Sequence, residues 1–233
     1  MKQHIISFLT TTFCVAVATT ASGATFDLAA ASDVFTPSFR GEGNTTYLGW
    51  DVFGSPGDTV LNDTTPDVGT GAGSFVTTNG EDHQSGSLNY YSGGGSVAED
   101  VTFATDGVPG SGFTTVLVQA TTLFGGWGAD IEFGPIDGVA PTQVLQTTNA
   151  IGSGQLFVRY ELPGNSATET FSIATAVGGN PTSLGLFVID TLWSPTGFAP
   201  DTAIATPEPS SFAMVLCYAM ACGFGRRQGG HDV

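Results

Sequence analysis

From residue 26 to about residue 201 the chain alternates strand-like runs with turn-forming clusters, and no stretch of ten or more residues carries helical periodicity with caps. In Gln155 to Leu162, Leu156, Val158, Tyr160 and Leu162 alternate with Phe157, Arg159 and Glu161, a period of two that sends the two sets to opposite faces of a strand. Thr168 to Val177 repeats the pattern with Phe171, Ile173, Thr175 and Val177 on one side. Thr45 to Phe53, Thr114 to Phe124, Ala129 to Phe133 and Leu184 to Trp193 supply further β-branched and aromatic runs. Turns rich in Gly, Pro, Asn and Asp separate them, such as Gly54 to Asp58, Pro163-Gly164-Asn165 and Gly178 to Pro181. Residues 62 to 100 are looser, and short strands are expected there only around Phe75-Val76 and Leu88 to Tyr91. The pattern predicts an all-β body, a β-sandwich of jelly-roll type.

Both ends depart from this pattern. Lys2 precedes an apolar stretch from Ile5 to Ala18, followed by small residues at Ala21, Ser22, Gly23 and Ala24. That order predicts a signal peptide over residues 1–24, with cleavage after Gly23 or Ala24 and export through the Sec translocon. At the other end, Pro207-Glu208-Pro209 is followed by an apolar run to Gly225 and then by Arg226-Arg227. The prolines deny the chain helical hydrogen bonds, so a helix can begin only after them, with Ser210 or Ser211 as its cap. The expected organisation is a body over 25–198, a linker over 199–209, a short transmembrane helix over 210–227 and a polar tail over 228–233. Arg226 and Arg227 act as the membrane stop that leaves the acidic body outside.

Together these C-terminal features resemble the PEP-CTERM sorting signal, and the resemblance covers about the last 25 residues. It implies that Pro207, Glu208 and Pro209 form the sorting motif and that an exosortase-like membrane enzyme is the processing partner. It also implies an inner-membrane anchor before processing, a cell-surface or extracellular destination afterwards, and a setting rich in exopolysaccharide. Six residues follow the arginines, whereas such tails usually stop at or just after them.

Charge narrows the function classes. The whole chain has a formal charge of −16, and residues 25–206 hold nineteen acids against Arg40 and Arg159, a charge of −17. Such a surface has no means of neutralising a row of phosphates, which excludes nucleic acid as a partner. The only lysine is Lys2, and Cys14, Cys217 and Cys222 all lie in the apolar ends. The body therefore has no Schiff-base lysine, thiol nucleophile, disulfide or thiolate metal site. Its single histidine, His83, is too little for a zinc site and, without Gly-x-Ser-x-Gly, reads as a polar loop residue rather than a triad base.

Three sets of residues carry the remaining chemical options. Asp58, Asp63 and Asp67, with Glu81 and Asp82, are candidate oxygen ligands for a structural calcium, set against solvated turn acids. Trp50, Trp127, Tyr90 and Tyr91 are candidates for a carbohydrate-stacking platform, although tryptophan in a sandwich more often packs in the core. Glu132 and Glu161, both on expected strands, are candidate glycosidase carboxylates if one groove brings them together. The sequence thus favours a non-enzymatic surface or matrix protein. An extracellular carbohydrate-binding or carbohydrate-active module is the alternative.

Overall fold

The computed structural model describes residues 23–28, 33–54, 62–78, 82–84, 89–92, 98–122, 131–148, 154–175 and 182–204. The expected signal-peptide stretch before residue 23, the C-terminal helix, its arginine stop and the polar tail lie outside them. Among the described residues every regular element is a strand, and none is a helix. A five-stranded sheet has the order β10 (Ile131–Phe133), β13 (Thr168–Thr175), β8 (Ala98–Ala104), β5 (Gly73–Thr77) and β3 (Asn62–Asp63). An eight-stranded sheet runs β11 (Gln143–Thr148), β12 (Gly154–Pro163), β9 (Phe113–Thr122), β14 (Thr182–Ser194), β2 (Thr45–Trp50) and β4 (Val68–Gly69). Its last two members are β7 (Tyr90–Ser92), which pairs with β14, and β6 (Asp82–Gln84), which pairs with β7. All pairings in both sheets are antiparallel.

The two sheets face each other across one core, giving a β-sandwich-like body. The alternation in the sequence decides which side chains enter it. Leu156, Val158, Tyr160 and Leu162 of β12 point inward, as do Phe171 and Ile173 of β13. They meet Trp50, Phe75, Phe103, Val116, Val118, Phe187 and Ile189, all with no exposed surface. Phe75 is the hub, with its ring 5.7 Å from Trp50, 5.6 Å from Phe53, 5.9 Å from Tyr90 and 5.2 Å from Phe187. Each such pair adds about 0.5–1.5 kcal/mol beyond the area it buries.

A second, smaller core lies on the far side of the eight-stranded sheet. Leu117 of β9 and Phe157 of β12 point away from the sandwich, and both are fully buried. They are covered by Leu28, Phe35, Phe39, Ala199 and Ala203. These residues belong to two terminal segments. The first contains β1 (Thr25–Asp27) and the stretch from Asp33 to Arg40; the second contains β15 (Thr202–Ile204). Strands β1 and β15 pair in parallel, Thr25 beside Thr202 and Asp27 beside Ile204. Buried on both faces, β9 reads as an apolar and threonine run broken only by Gln119, with no alternation.

This second core corrects the expected linker over 199–209. Ala199, Asp201 and Ala203 are buried, and the main-chain NH of Thr202 donates to the Ala24 carbonyl at 3.1 Å. Residues 199–204 are thus part of the body, which continues past 198 because Leu117 and Phe157 need a cover.

Candidate functional site

The densest polar arrangement lies where the two terminal segments meet the eight-stranded sheet, and it contains both arginines of the body. Asp190 sits mid-strand in β14 within an apolar run, fully buried, between Leu117 of β9 and Tyr47 of β2 in register. Arg40, at the end of the first segment's turn, reaches down to it with Nε 2.6 Å from Oδ1 and Nη2 2.7 Å from Oδ2. The guanidinium also stacks over Tyr47, 3.7 Å from the ring centre. A two-bond fork of this kind fixes orientation as well as charge. Burial still dominates at Asp190. It pushes the carboxyl above the usual range, against Arg40, and the charge of Asp201 adds to the rise.

Asp201 is the second buried carboxylate. Its Oδ2 accepts from the Ser38 hydroxyl at 2.8 Å, and its Oδ1 from the Ala24 main-chain NH at 3.0 Å. Arg159, on the outward face of β12, donates to the carbonyls of Ala199 and Asp201. It also pairs with Glu161 two residues along, at 2.8 Å. Gln119 of β9 completes the arrangement with a reciprocal pair: its Oε1 accepts the Phe35 NH at 2.9 Å, and its Nε2 donates to the Phe35 carbonyl at 3.0 Å. The cluster clamps both chain ends to the sheet. Asp190 and Asp201 are closed to solvent, so they hold structure and offer no reactive surface.

The carbohydrate platform divides. Trp50 and Tyr90 are fully buried in the sandwich core, packed against Phe75 and, for Trp50, Phe187 as well, which corrects their candidacy as a stacking surface: neither ring is open to a sugar. Tyr91 lies in β7, in register with His83 of β6 and Ser183 of β14. Trp127 lies outside the described residues.

The glycosidase pair does not assemble. Glu132 is exposed on β10, where its neighbour Phe133 packs toward the core, so it points out from the five-stranded sheet. Glu161 points out from the eight-stranded sheet, held by Arg159. With the core between them, the two acids share no groove.

Among the calcium candidates, Asp63 and Asp67 act on the main chain. Asp63 accepts the NH groups of Thr65 and Gly54 at 3.0 and 2.9 Å, and Asp67 those of Asp51 and Val52 at 3.0 and 2.7 Å. Asp63 Oδ1 closes a local Asx turn at Thr65, while its Oδ2 and both oxygens of Asp67 tie this loop to residues 51–54. Burial, with the neighbouring Asp51 carboxyl, raises the Asp67 pKa. Among the described residues no three His, Cys, Asp or Glu side chains gather as a metal site. Asp58 and Glu81 lie outside the described residues, and Asp82 is placed as the first residue of β6. Pro207, Glu208, Pro209, Arg226 and Arg227 also lie outside them.

Arg40, Asp190, Ser38, Asp201 and Gln119 were not singled out from sequence, although one signal existed. Asp190 stands inside LGLFVIDTLW, and an acid in a run otherwise that apolar needs a buried partner. Arg40 and Arg159 were the only basic residues in the body able to serve. No protein-family model matches the chain, and no curated protein is significantly similar to it.

Proposed function

We propose that the chain is an exported bacterial protein of structural or binding type, working at the cell surface or in the extracellular matrix and sorted by its C-terminal PEP-CTERM signal. The observation that carries this reading is the order at the C-terminus. The last described strand, which ends at Ile204, is followed within a few residues by Pro207-Glu208-Pro209, an apolar run and Arg226-Arg227. Strands β1 and β15 pair in parallel, so the leader joins beside Thr202 and the tail leaves beside Asp27, on adjacent strands at opposite ends of the pair. Residues 205–209, even fully extended, reach no more than about 17 Å, so the body stays close to the membrane until it is processed.

An exosortase-like enzyme is the processing partner, and exopolysaccharide is the expected surroundings. Arg40 and Arg159 are largely enclosed, with side-chain exposures of 17% and 10%. Association with an anionic polysaccharide therefore needs bridging cations, whereas a neutral one needs none. The β8–β9, β12–β13 and β13–β14 connections pass between the two sheets, as they do in jelly rolls and in other two-sheet sandwiches.

The sorting reading is tested in the native host by replacing Glu208 with Gln and Pro207 and Pro209 with Ala. The variant is expected to be exported but to accumulate in the membrane fraction, while the wild-type body becomes accessible to protease added outside the cells. Equal surface accessibility of the two proteins would sink the motif's role.

A further inference from the structure

The clamp contains a buried carboxylate whose cation is supplied by neither arginine. Asp201 is fully buried, and its two oxygens accept only from the Ser38 hydroxyl and the Ala24 NH among the described residues. Arg40 forms its ion pair with Asp190 and Arg159 with Glu161. A carboxylate out of water with neutral donors alone is strongly disfavoured. The Ala24 nitrogen, 3.0 Å from Oδ1, is where a positive charge would relieve it.

We infer that Gly23–Ala24 is the bond cut when the leader is removed, and that the new Ala24 ammonium forms an ion pair with Asp201 that locks the mature N-terminus to the body. This rests on the export reading above and resolves the choice that the sequence leaves open. Cleavage here puts Ala21 and Gly23 at the third and first positions before the cut, where leader removal needs small residues. It also keeps Ala24, whose carbonyl accepts the Thr202 NH at 3.1 Å and so begins the β1–β15 ladder. Cleavage one residue later would remove that acceptor together with the donor to Asp201.

The step is a hydrolysis by a membrane leader peptidase. Water's hydroxyl goes to the Gly23 carbonyl carbon, leaving a carboxylate on peptide 1–23, and the nitrogen takes a proton to become ammonium. It precedes docking of β1, because in the folded body Gly23 lies against Pro200; a Cβ there would be 2.3 Å from the Pro200 carbonyl oxygen. Folding then seats the ammonium. Ala24 is half-buried, so its remaining N–H groups face solvent or nearby acceptors.

The composition makes the test unusually clean. Lys2 is the only lysine, so a chain cut anywhere after it has a single primary amine. The full-length chain is expressed in a secreting Gram-negative host and its exported form purified. The N-terminal peptide is then read by mass spectrometry, and the amine is labelled with an acyl ester. The expected peptide begins at Ala24. Labelling should be at least about tenfold slower in the native protein than in urea, and Asp201→Asn should recover most of that difference.

The pH dependence of the wild-type labelling rate separates charge pairing from simple burial, even if Asp201→Asn fails to fold. Of the charged groups among the described residues, Asp201 contacts the amine directly; Asp190 with its partner Arg40 acts on Asp201, Arg159 donates to the Asp201 carbonyl, and Asp27 lies on β1, the strand that follows the amine. An ammonium paired with Asp201 titrates above the ordinary α-amino value of about 7.7–8.0, and a merely buried amine below it. A peptide beginning at Thr25 or elsewhere in the body would overturn the cleavage site while leaving export intact. One beginning at Met1 would overturn the leader reading and this inference together. Ala24 labelled equally fast in both states, or titrating below the ordinary value, would overturn the ion pair.

Discussion

Arg40 and Arg159 carry the same charge on the same face of one sheet, yet their bonds differ in kind. Asp190 has no exposed surface, so losing Arg40 leaves a carboxylate stranded in the interior. Arg40→Ala is predicted to cost about 3 kcal/mol, the low end for breaking a buried pair, because Arg40 itself keeps 17% of its side chain exposed. Glu161 is 32% exposed, and without it Arg159 keeps its bonds to the carbonyls of Ala199 and Asp201, so Glu161→Gln should cost less than about 1 kcal/mol. Urea denaturation of the two variants checks the ordering, and equal losses would contradict it. Glu169 gives a prediction in pH. Burial is the main cause raising its carboxyl pKa, with Asp137 nearby adding to it and Ser166 opposing. A raised folded value means that the protonated form is favoured on folding. Its contribution is therefore complete below the unfolded carboxyl pKa of about 4.3 and lost as pH rises through the folded value. Glu169→Gln should thus gain stability relative to wild type between pH 4 and pH 7, which thermal melts at both pH values would show. These sites were poorly legible in sequence because burial of one acid among nineteen depends on contacts between distant segments. Asp190 alone announced itself, through its apolar neighbours.

At the scale of elements, the long strands were legible and the short ones were not. Strands β12 and β13 alternate over eight or more residues, and the alternation needs only one buried face to appear. Strands β3 and β4 have two residues each and exist because β5 and β2 offer free edges. The most consequential miss was β15, three residues whose buried member, Ala203, is too small to mark a strand. Its importance can be measured. A chain ending at residue 198 loses Ala199, Asp201 and Ala203 and uncovers Leu117 and Phe157. It should be less soluble and melt well below a chain ending at 205. Equal melting would mean that the second core adds nothing. Within that core, Phe157→Ala should cost about 3–5 kcal/mol, whereas Val108→Ser, at a site 54% exposed, should stay within about 0.5.

At the scale of the molecule, a body of charge −17 with both arginines enclosed repels itself at neutral pH. Added sodium chloride should therefore raise its melting temperature at pH 7 by screening, and less so at pH 5, where some acids are protonated. A salt effect that is absent or negative at pH 7 would show that the charges are already compensated. A composition so poor in lysine and cysteine between residues 25 and 206 says little about a ligand. A binding surface depends on which loop residues converge, and period-two patterning reports only which residues turn inward. The proposed destination rests on the order of Pro207-Glu208-Pro209, the apolar run and the arginines. Mass spectrometry of the C-terminal peptide from the native protein tests that claim most directly. The account predicts a mature C-terminus between residues 206 and 210; an intact peptide reaching Val233 would contradict it.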